Sequence, residues 1–248
     1  MSSIIAVDIG NSTIKIGRFS EGGLSVRTVS LSLVDECVSS LREICLKDSL
    51  RGIIISSVVP ELTAFIKEAA LSFTDRVIIM HHGLDTGLKF SIPEPEKTGT
   101  DRIAGASAAY NEFKCGLVVA DLGTATTLTI VEEGGLYMGG AILPGVEMMA
   151  RFLASGTAQL PEIEPSVPSG AIGRETVSAI NSGIIYGTAG AIERLREEFE
   201  KELGKSLLLI TTGGKAPLVE PYLKRLSYKR PDLVLEGLKL IFERNFHA

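Results

Sequence analysis

One pattern occurs twice in this chain. The apolar, strand-forming run Ile4–Val7 leads into Asp8-Ile9-Gly10-Asn11-Ser12-Thr13, resumes as Ile14–Phe19 and ends in Glu21-Gly22-Gly23-Leu24. Gly116–Ala120 leads in the same way into Asp121-Leu122-Gly123-Thr124-Ala125-Thr126, then apolar residues, then Glu133-Gly134-Gly135-Leu136. With one deletion the segments align through Asp, Gly, Thr and the Glu-Gly-Gly-Leu turn. Each reads as a hairpin with a polar turn. A repeated unit of this kind restricts the chain to a duplicated fold whose matching loops face each other across a cleft.

The surrounding pattern says what the repeated unit is. Leu41, Ile44 and Cys45 recur at helical spacing, Gly52–Ser57 reads as a strand closing at Pro60, Glu61–Phe73 as a helix and Val77–Met80 as a strand. Alternation of this sort predicts an α/β fold with a partly parallel sheet covered by helices. At 248 residues the chain sits near the size at which single cores stop growing, about 250–300 residues, so two modest domains are expected. The boundary is placed near Lys114, giving residues 1–114 and 115–248, with the C-terminal helix packing back across it.

Composition excludes several classes of function. A net charge of −5 with intermixed signs offers no basic face for a nucleic-acid backbone. The N-terminal MSSIIAVDIG lacks the basic and apolar regions of a signal peptide, and no uncharged apolar run approaches the roughly 20 residues that span a bilayer, so a cytoplasmic protein with no membrane partner is expected. Cys37, Cys45 and Cys115 are odd in number and lack metal-site spacing, which predicts buried thiols. His81, His82 and His247 are expected to be structural, since adjacent histidines on an extended segment point to opposite faces. Met148 and Met149 are expected in core or interface packing.

The repeated loops suit polyphosphate. Glycine lets backbone N–H groups approach phosphate oxygens, and successive N–H groups form an anion nest to which Ser or Thr hydroxyls add donors. Asp8 and Asp121 would repel phosphate unless a cation lay between, so nucleotide and cation are implied together. A single Asp-x-Gly turn would be an ordinary hairpin feature; two matching copies argue for more. Thr211-Thr212-Gly213-Gly214 follows the apolar run Leu207–Ile210 and can lie flat against the adenosine end of a nucleotide, or serve as a plain turn. Lys97-Thr98-Gly99-Thr100-Asp101-Arg102 introduces the small-residue helix Ile103–Tyr110. Asp101 can be a helix cap, and beside Arg102 it can form a site that deprotonates a hydroxyl and grips a carboxylate.

Taken in order, DIGNST (Asp8–Thr13), GTDR (Gly99–Arg102), DLGTATT (Asp121–Thr127), GGAILPG (Gly139–Gly145), GTAQLP (Gly156–Pro161), TTGG (Thr211–Gly214) and PDLVLEGL (Pro231–Leu238) resemble the type III pantothenate kinases over nearly the whole chain. DxGN and TGG are shared widely among actin-like ATPases, whereas GxDR followed by DxGTATT and GGAILPG is specific. The resemblance implies the acetate and sugar kinase, heat-shock chaperone and actin fold, in which ATP lies between duplicated ribonuclease-H-like domains. It implies ATP-dependent phosphorylation of pantothenate, with magnesium and a monovalent cation, potassium or ammonium. Asp8, Ile9, Gly10, Asn11, Ser12, Thr13, Ile14 and Lys15 would then bind the ATP phosphates, with Thr124 as a phosphate contact and Gly213 and Gly214 beside the nucleotide. Gly99, Thr100, Asp101 and Arg102 would line the pantothenate site, Asp101 would be the general base, and Asp121 would hold the monovalent cation. Thr176 matches a threonine that contacts pantothenate across a homodimer interface; by itself it would be read as a residue at a helix start.

The chain departs from the family pattern at Ile92 and Glu94, where Tyr and Asn are frequent, and at Thr129, where Asp is common. An altered substrate pocket wall is the expectation. Two rivals remain: a non-catalytic regulatory homologue, against which an intact Asp101 argues, and an ATPase using water as acceptor, for which the chain lacks a peptide-binding domain or actin-like insertions.

Overall fold

A computed structural model of the chain describes residues 2–46 and 49–246, so the expectation for His247 lies outside the described residues. The strands in chain order are β1 (Ser3–Ile9), β2 (Thr13–Ser20), β3 (Gly23–Ser30), β4 (Leu50–Ser57), β5 (Val77–Ile79), β6 (Lys89–Phe90), β7 (Leu117–Leu122), β8 (Ala125–Glu132), β9 (Leu136–Pro144), β10 (Leu208–Thr212) and β11 (Ser227–Lys229). The helices are α1 (Val34–Cys45), α2 (Pro60–Leu71), α3 (Thr100–Phe113), α4 (Val146–Gly156), α5 (Thr176–Leu203), α6 (Ala216–Val219) and α7 (Leu233–Asn245). They form two compact units: Met1–Glu112 with Leu233–Ala248, and Phe113–Asp232.

The duplication is visible in the topology of each unit. In the first, the strands run β3-β2-β1-β4-β5, with β1, β2 and β3 antiparallel and β4 and β5 joined in parallel to β1. Within the second, the order is β9-β8-β7-β10-β11, again with an antiparallel trio and two parallel strands. The Glu-Gly-Gly-Leu segments turn β2 into β3 and β8 into β9.

Side-chain alternation explains how the first unit is covered. Ile5, Val7, Ile9, Ile53 and Ile55 pack with Cys37 and Leu41 of α1 and Ile66 and Ala70 of α2. The opposite parity, Ile4, Ala6 and Ile54, packs with Ile103 and Ala104 of α3 and with Leu235, Leu238, Ile241 and Phe242 of α7. Strands covered on both faces read as continuous apolar runs, which is why Ile4–Val7 and Ile53–Ile55 show no polar alternation. Phe242 is completely buried, and a large apolar side chain in that state contributes about 1.5–3 kcal/mol relative to exposure. The final helix therefore belongs to the first unit although it follows the second in the chain.

In the second unit, one apolar cluster joins Val118, Ala120 and Leu122 of β7 to Val146 and Ala150 of α4 and to Ile184, Ile185 and Ile192 of α5. The long α5 also uses charge to hold β10. Arg196, buried, donates through Nε (3.0 Å) and Nη2 to the Leu207 carbonyl, while Glu200 Oε1 accepts from the Leu207 amide at 2.9 Å. Arg225 grips Glu200 through both guanidinium ends at 2.6 and 2.9 Å, and Glu193 Oε1 accepts from the Lys224 and Arg225 amides at 3.0 and 3.1 Å. The hydrogen bonds from Arg225 hold the Glu200 carboxyl below the ordinary carboxylate range. The consequence is a fixed start for the strand that delivers Thr211-Thr212-Gly213-Gly214.

Burial pushes the Cys37 and Cys45 thiols up to about 11, whereas Cys115, expected to be buried like them, is only half-buried. His81 and His82 sit not on an extended strand but at a turn after β5, where His81 Nδ1 accepts from the Gly83 amide at 3.1 Å. Among the described residues no helix is long and apolar enough to cross a membrane.

Candidate active site

The first unit brings two of the predicted motifs to one end of its sheet. Asp8 is the next-to-last residue of β1 and is paired in register with Lys15 on β2 and with Ser56 on β4. Beyond it the chain turns tightly, the Gly10 amide donating to the Thr13 carbonyl at 3.0 Å and the Leu31 amide to the Ser12 carbonyl at 3.0 Å. The turn Gly10–Ser12 thus leaves the sheet at the C-terminal end of the parallel pair β1 and β4, the edge where ligands of open α/β sheets bind.

Helix α3 starts at that same end. The Gly99 carbonyl accepts from the Ile103 amide at 3.2 Å, which makes Gly99 the cap and puts Thr100, Asp101 and Arg102 in the first turn. Thr100 Oγ1 lies 2.9 Å from Ser56 Oγ and donates to the Ser57 carbonyl at 3.4 Å. Asp101 Oδ1 accepts from the Arg102 amide at 2.8 Å. After this polar turn, Ile103–Ala109 are all buried, so α3 is held by packing and its first turn is carried on a rigid base. Asp8 to Lys15 and Gly99 to Arg102 are thereby assembled within a single unit. Ile92 is half-buried, and the exposed Glu94 forms an ion pair with Lys97 at 2.5 Å.

The second unit assembles three loops. Asp121, near the end of β7, is opposite Thr127 on β8 and Thr212 on β10. The Gly123 amide donates to the Ala125 carbonyl at 3.0 Å, closing the turn that carries Thr124. Gly145, at the end of the GGAILPG segment, packs on that turn so closely that a Cβ would lie 2.3 Å from the Thr124 carbonyl oxygen. Gly213 has φ +94°, and a Cβ there would meet Asp121 Oδ1 and the Leu122 carbonyl oxygen at 2.5 Å each. The Lys215 amide donates to the Leu122 carbonyl at 2.9 Å, and the Lys215 ammonium pairs with Glu147 in the first turn of α4. Asp121, Thr124 and Gly213 are therefore neighbours, with Gly214 the next residue of the same loop.

Thr176 lies elsewhere in the second unit. It is the first residue of α5, exposed, after Glu175, whose amide donates to Ser178 Oγ at 3.1 Å. It lines an apolar groove of about 790 Å³ with Met148, Met149 and Phe152 of α4 and Ala179 and Ile180 of α5. None of Asp121, Thr124, Gly213 or Gly214 lines that groove. Sequence reasoning missed Ser56 and the Glu147–Lys215 pair, and had Gly145 only as the last residue of the GGAILPG segment. The signal for Ser56 was an apolar strand ending in two hydroxyl residues; for the ion pair no local signal exists, because its two partners are remote in the chain.

A curated type III pantothenate kinase of Dehalococcoides mccartyi is 36% identical over 252 aligned positions, covering 98% of both chains. Among solved structures, a conserved Baf family protein from Campylobacter jejuni superposes with a TM-score of 0.66 at 22% identity over 97% of this chain and 98% of that one. An archaeal actin homologue superposes with a TM-score of 0.52 at 14% identity over 98% and 99%. These structural likenesses show the fold alone: α/β, two duplicated ribonuclease-H-like domains of the actin-like ATPase class. The sequence model of the type III pantothenate kinases matches residues 4–198, a span that takes in the Asp8 turn, the Gly99–Arg102 helix start and the Asp121–Gly145 loops. The chain belongs to the type III pantothenate kinase family.

Proposed function

We propose that this protein transfers the γ-phosphoryl group of ATP to the primary hydroxyl of pantothenate, giving 4′-phosphopantothenate and ADP, the first step of coenzyme A biosynthesis. Supporting this reading most directly is the arrangement of the first unit, where a phosphate-type turn after Asp8 and the Asp101 helix start share one sheet end. In this reading Asp101 orients and deprotonates the hydroxyl while Arg102 holds the far carboxylate. No phosphoenzyme is required, because positioning and charge neutralisation supply most of the acceleration in phosphoryl transfer.

Residues 8–15 and Thr124 would hold the phosphates, with Gly213 and Gly214 against the adenosine side. Magnesium bound with ATP supplies charge neutralisation at the phosphates. Asp121 would hold potassium or ammonium. Thr176 would meet pantothenate from a second copy of the chain, a homodimer supported by the apolar groove on which it sits and by Phe152 in that groove, 74% exposed. The half-buried Ile92 and the Glu94–Lys97 pair support a pocket wall of altered shape, and so a changed affinity for pantothenate or a related hydroxyl substrate.

The test is ADP release from ATP and magnesium with and without pantothenate, in potassium and then sodium buffer, with the product identified by mass. Acceptor-dependent formation of 4′-phosphopantothenate is expected, and Asp101→Asn should lower turnover by about 10²–10⁴-fold with ATP binding intact. No acceptor-dependent turnover in either salt would point to a non-catalytic homologue. Full turnover by Asp101→Asn would remove Asp101 as the base.

A further inference from the structure

We infer that Ser56 is a positioning residue that fixes the first turn of α3, and with it Asp101, against the strand end carrying Asp8. The role rests on Asp101 acting as the base, as proposed above. Ser56 is completely buried. It lies two residues beyond Ile54, so it belongs to the sheet face covered by α3 and α7, and it sits beside Asp8 in the parallel register. A buried hydroxyl costs free energy unless it is hydrogen-bonded. Its partner is Thr100 Oγ1 at 2.9 Å, in the turn that carries Asp101.

Thr100 Oγ1 meets two groups at the end of β4: Ser56 Oγ at 2.9 Å, where either hydroxyl can donate, and the Ser57 carbonyl at 3.4 Å. Two consecutive residues at the end of β4 thus hold a single hydroxyl on α3, which sets both the rotation and the height of its first turn. A displacement of about 1 Å at a reacting group can cost about 100-fold in rate, so modest slack here is felt in the chemistry rather than in the fold.

The second unit has a buried hydroxyl at the matching position. Thr212 is to Asp121 what Ser56 is to Asp8, its neighbour in register on the parallel strand. Thr212 is buried, and its Oγ1 donates to the Pro231 carbonyl at 3.4 Å, just before α7 begins. In both units a buried hydroxyl thus stands beside the aspartate, at the end of the neighbouring parallel strand.

Steady-state kinetics with pantothenate on Ser56→Ala, Asp101→Asn and the double variant tests the assignment. Ser56→Ala should lower kcat about 10- to 100-fold while KM for ATP stays within about twofold. In the Asp101→Asn background the same change should add less than about twofold, because a residue acting through Asp101 has nothing left to position. Should Ser56→Ala fold poorly, Thr100→Val deletes the other end of the bond at a half-buried site and should give the same kcat loss, with Thr100→Ser restoring activity. Wild-type kcat in Ser56→Ala, or losses that multiply in the double variant, would overturn the inference while leaving the base assignment standing. Wild-type turnover in Asp101→Asn alone would sink the base assignment itself and the Ser56 role with it.

Discussion

Gly213 and Gly214 are adjacent, and the structure predicts opposite consequences for the same substitution. Gly213→Ala places a methyl group at φ +94°, 2.5 Å from Asp121 Oδ1 and 2.5–2.6 Å from the Leu122 carbonyl. A left-handed backbone costs an ordinary residue about 1–2 kcal/mol, and forcing atoms into a packed site typically costs a further ~1–3 kcal/mol. The expected loss is therefore about 2–5 kcal/mol, a large part of the roughly 5–15 kcal/mol that holds a domain folded. Gly214 has no positive φ, and no atom lies within 4 Å of its would-be Cβ. Alanine there should be neutral or stabilise by about 0.4–1 kcal/mol through the unfolded chain. Urea unfolding followed by circular dichroism measures both changes. The same proteins should then be assayed for ADP release, where the proposed place of Gly214 beside the nucleotide predicts that Gly214→Ala raises KM for ATP without loss of stability. A Gly213→Ala protein within about 0.5 kcal/mol of the parent would refute the steric reasoning. An unchanged KM for ATP in Gly214→Ala would show that this residue does not face the nucleotide.

Other outcomes follow from the charges, thiols and apolar groove. Phe152→Asp puts a charge into the groove that holds Thr176, and under the proposed homodimer sedimentation should shift from dimer to monomer with pantothenate turnover falling in parallel. The Glu200 carboxyl is held low by Arg225, so its contribution is complete above the unfolded value of about 4.3 and disappears as pH falls through the lower folded value. Stability measured against pH should accordingly drop more steeply on the acid side in the parent than in Glu200→Gln. Cys115 should react with a thiol reagent in the native protein, whereas Cys37 and Cys45, buried and with thiols near 11, should react only on unfolding.

Much of the architecture was legible because the duplication repeats whole motifs. Both hairpins, the strand ending at Ser57, the helix after Pro60 and the helix start at Gly99–Arg102 are where pattern and turn residues place them. What was hidden is what depends on remote partners. Glu193 and Arg196 look like charges on a solvated helix, yet both are buried, clamping β10 and the Lys224–Arg225 backbone. Ser56 reads as the polar end of a strand until Thr100 is seen beside it. Periodicity reveals the apolar face of α7 but not which sheet it covers.

Because α7 closes the first unit, that unit is interrupted in the gene by the whole of the second. During synthesis Ile4, Ala6 and Ile54 leave the ribosome long before Leu235, Leu238, Ile241 and Phe242 exist to cover them. The nascent first unit has α3 but not α7 on that face until translation is nearly complete, which makes premature termination near residue 232 more damaging than its short deletion suggests.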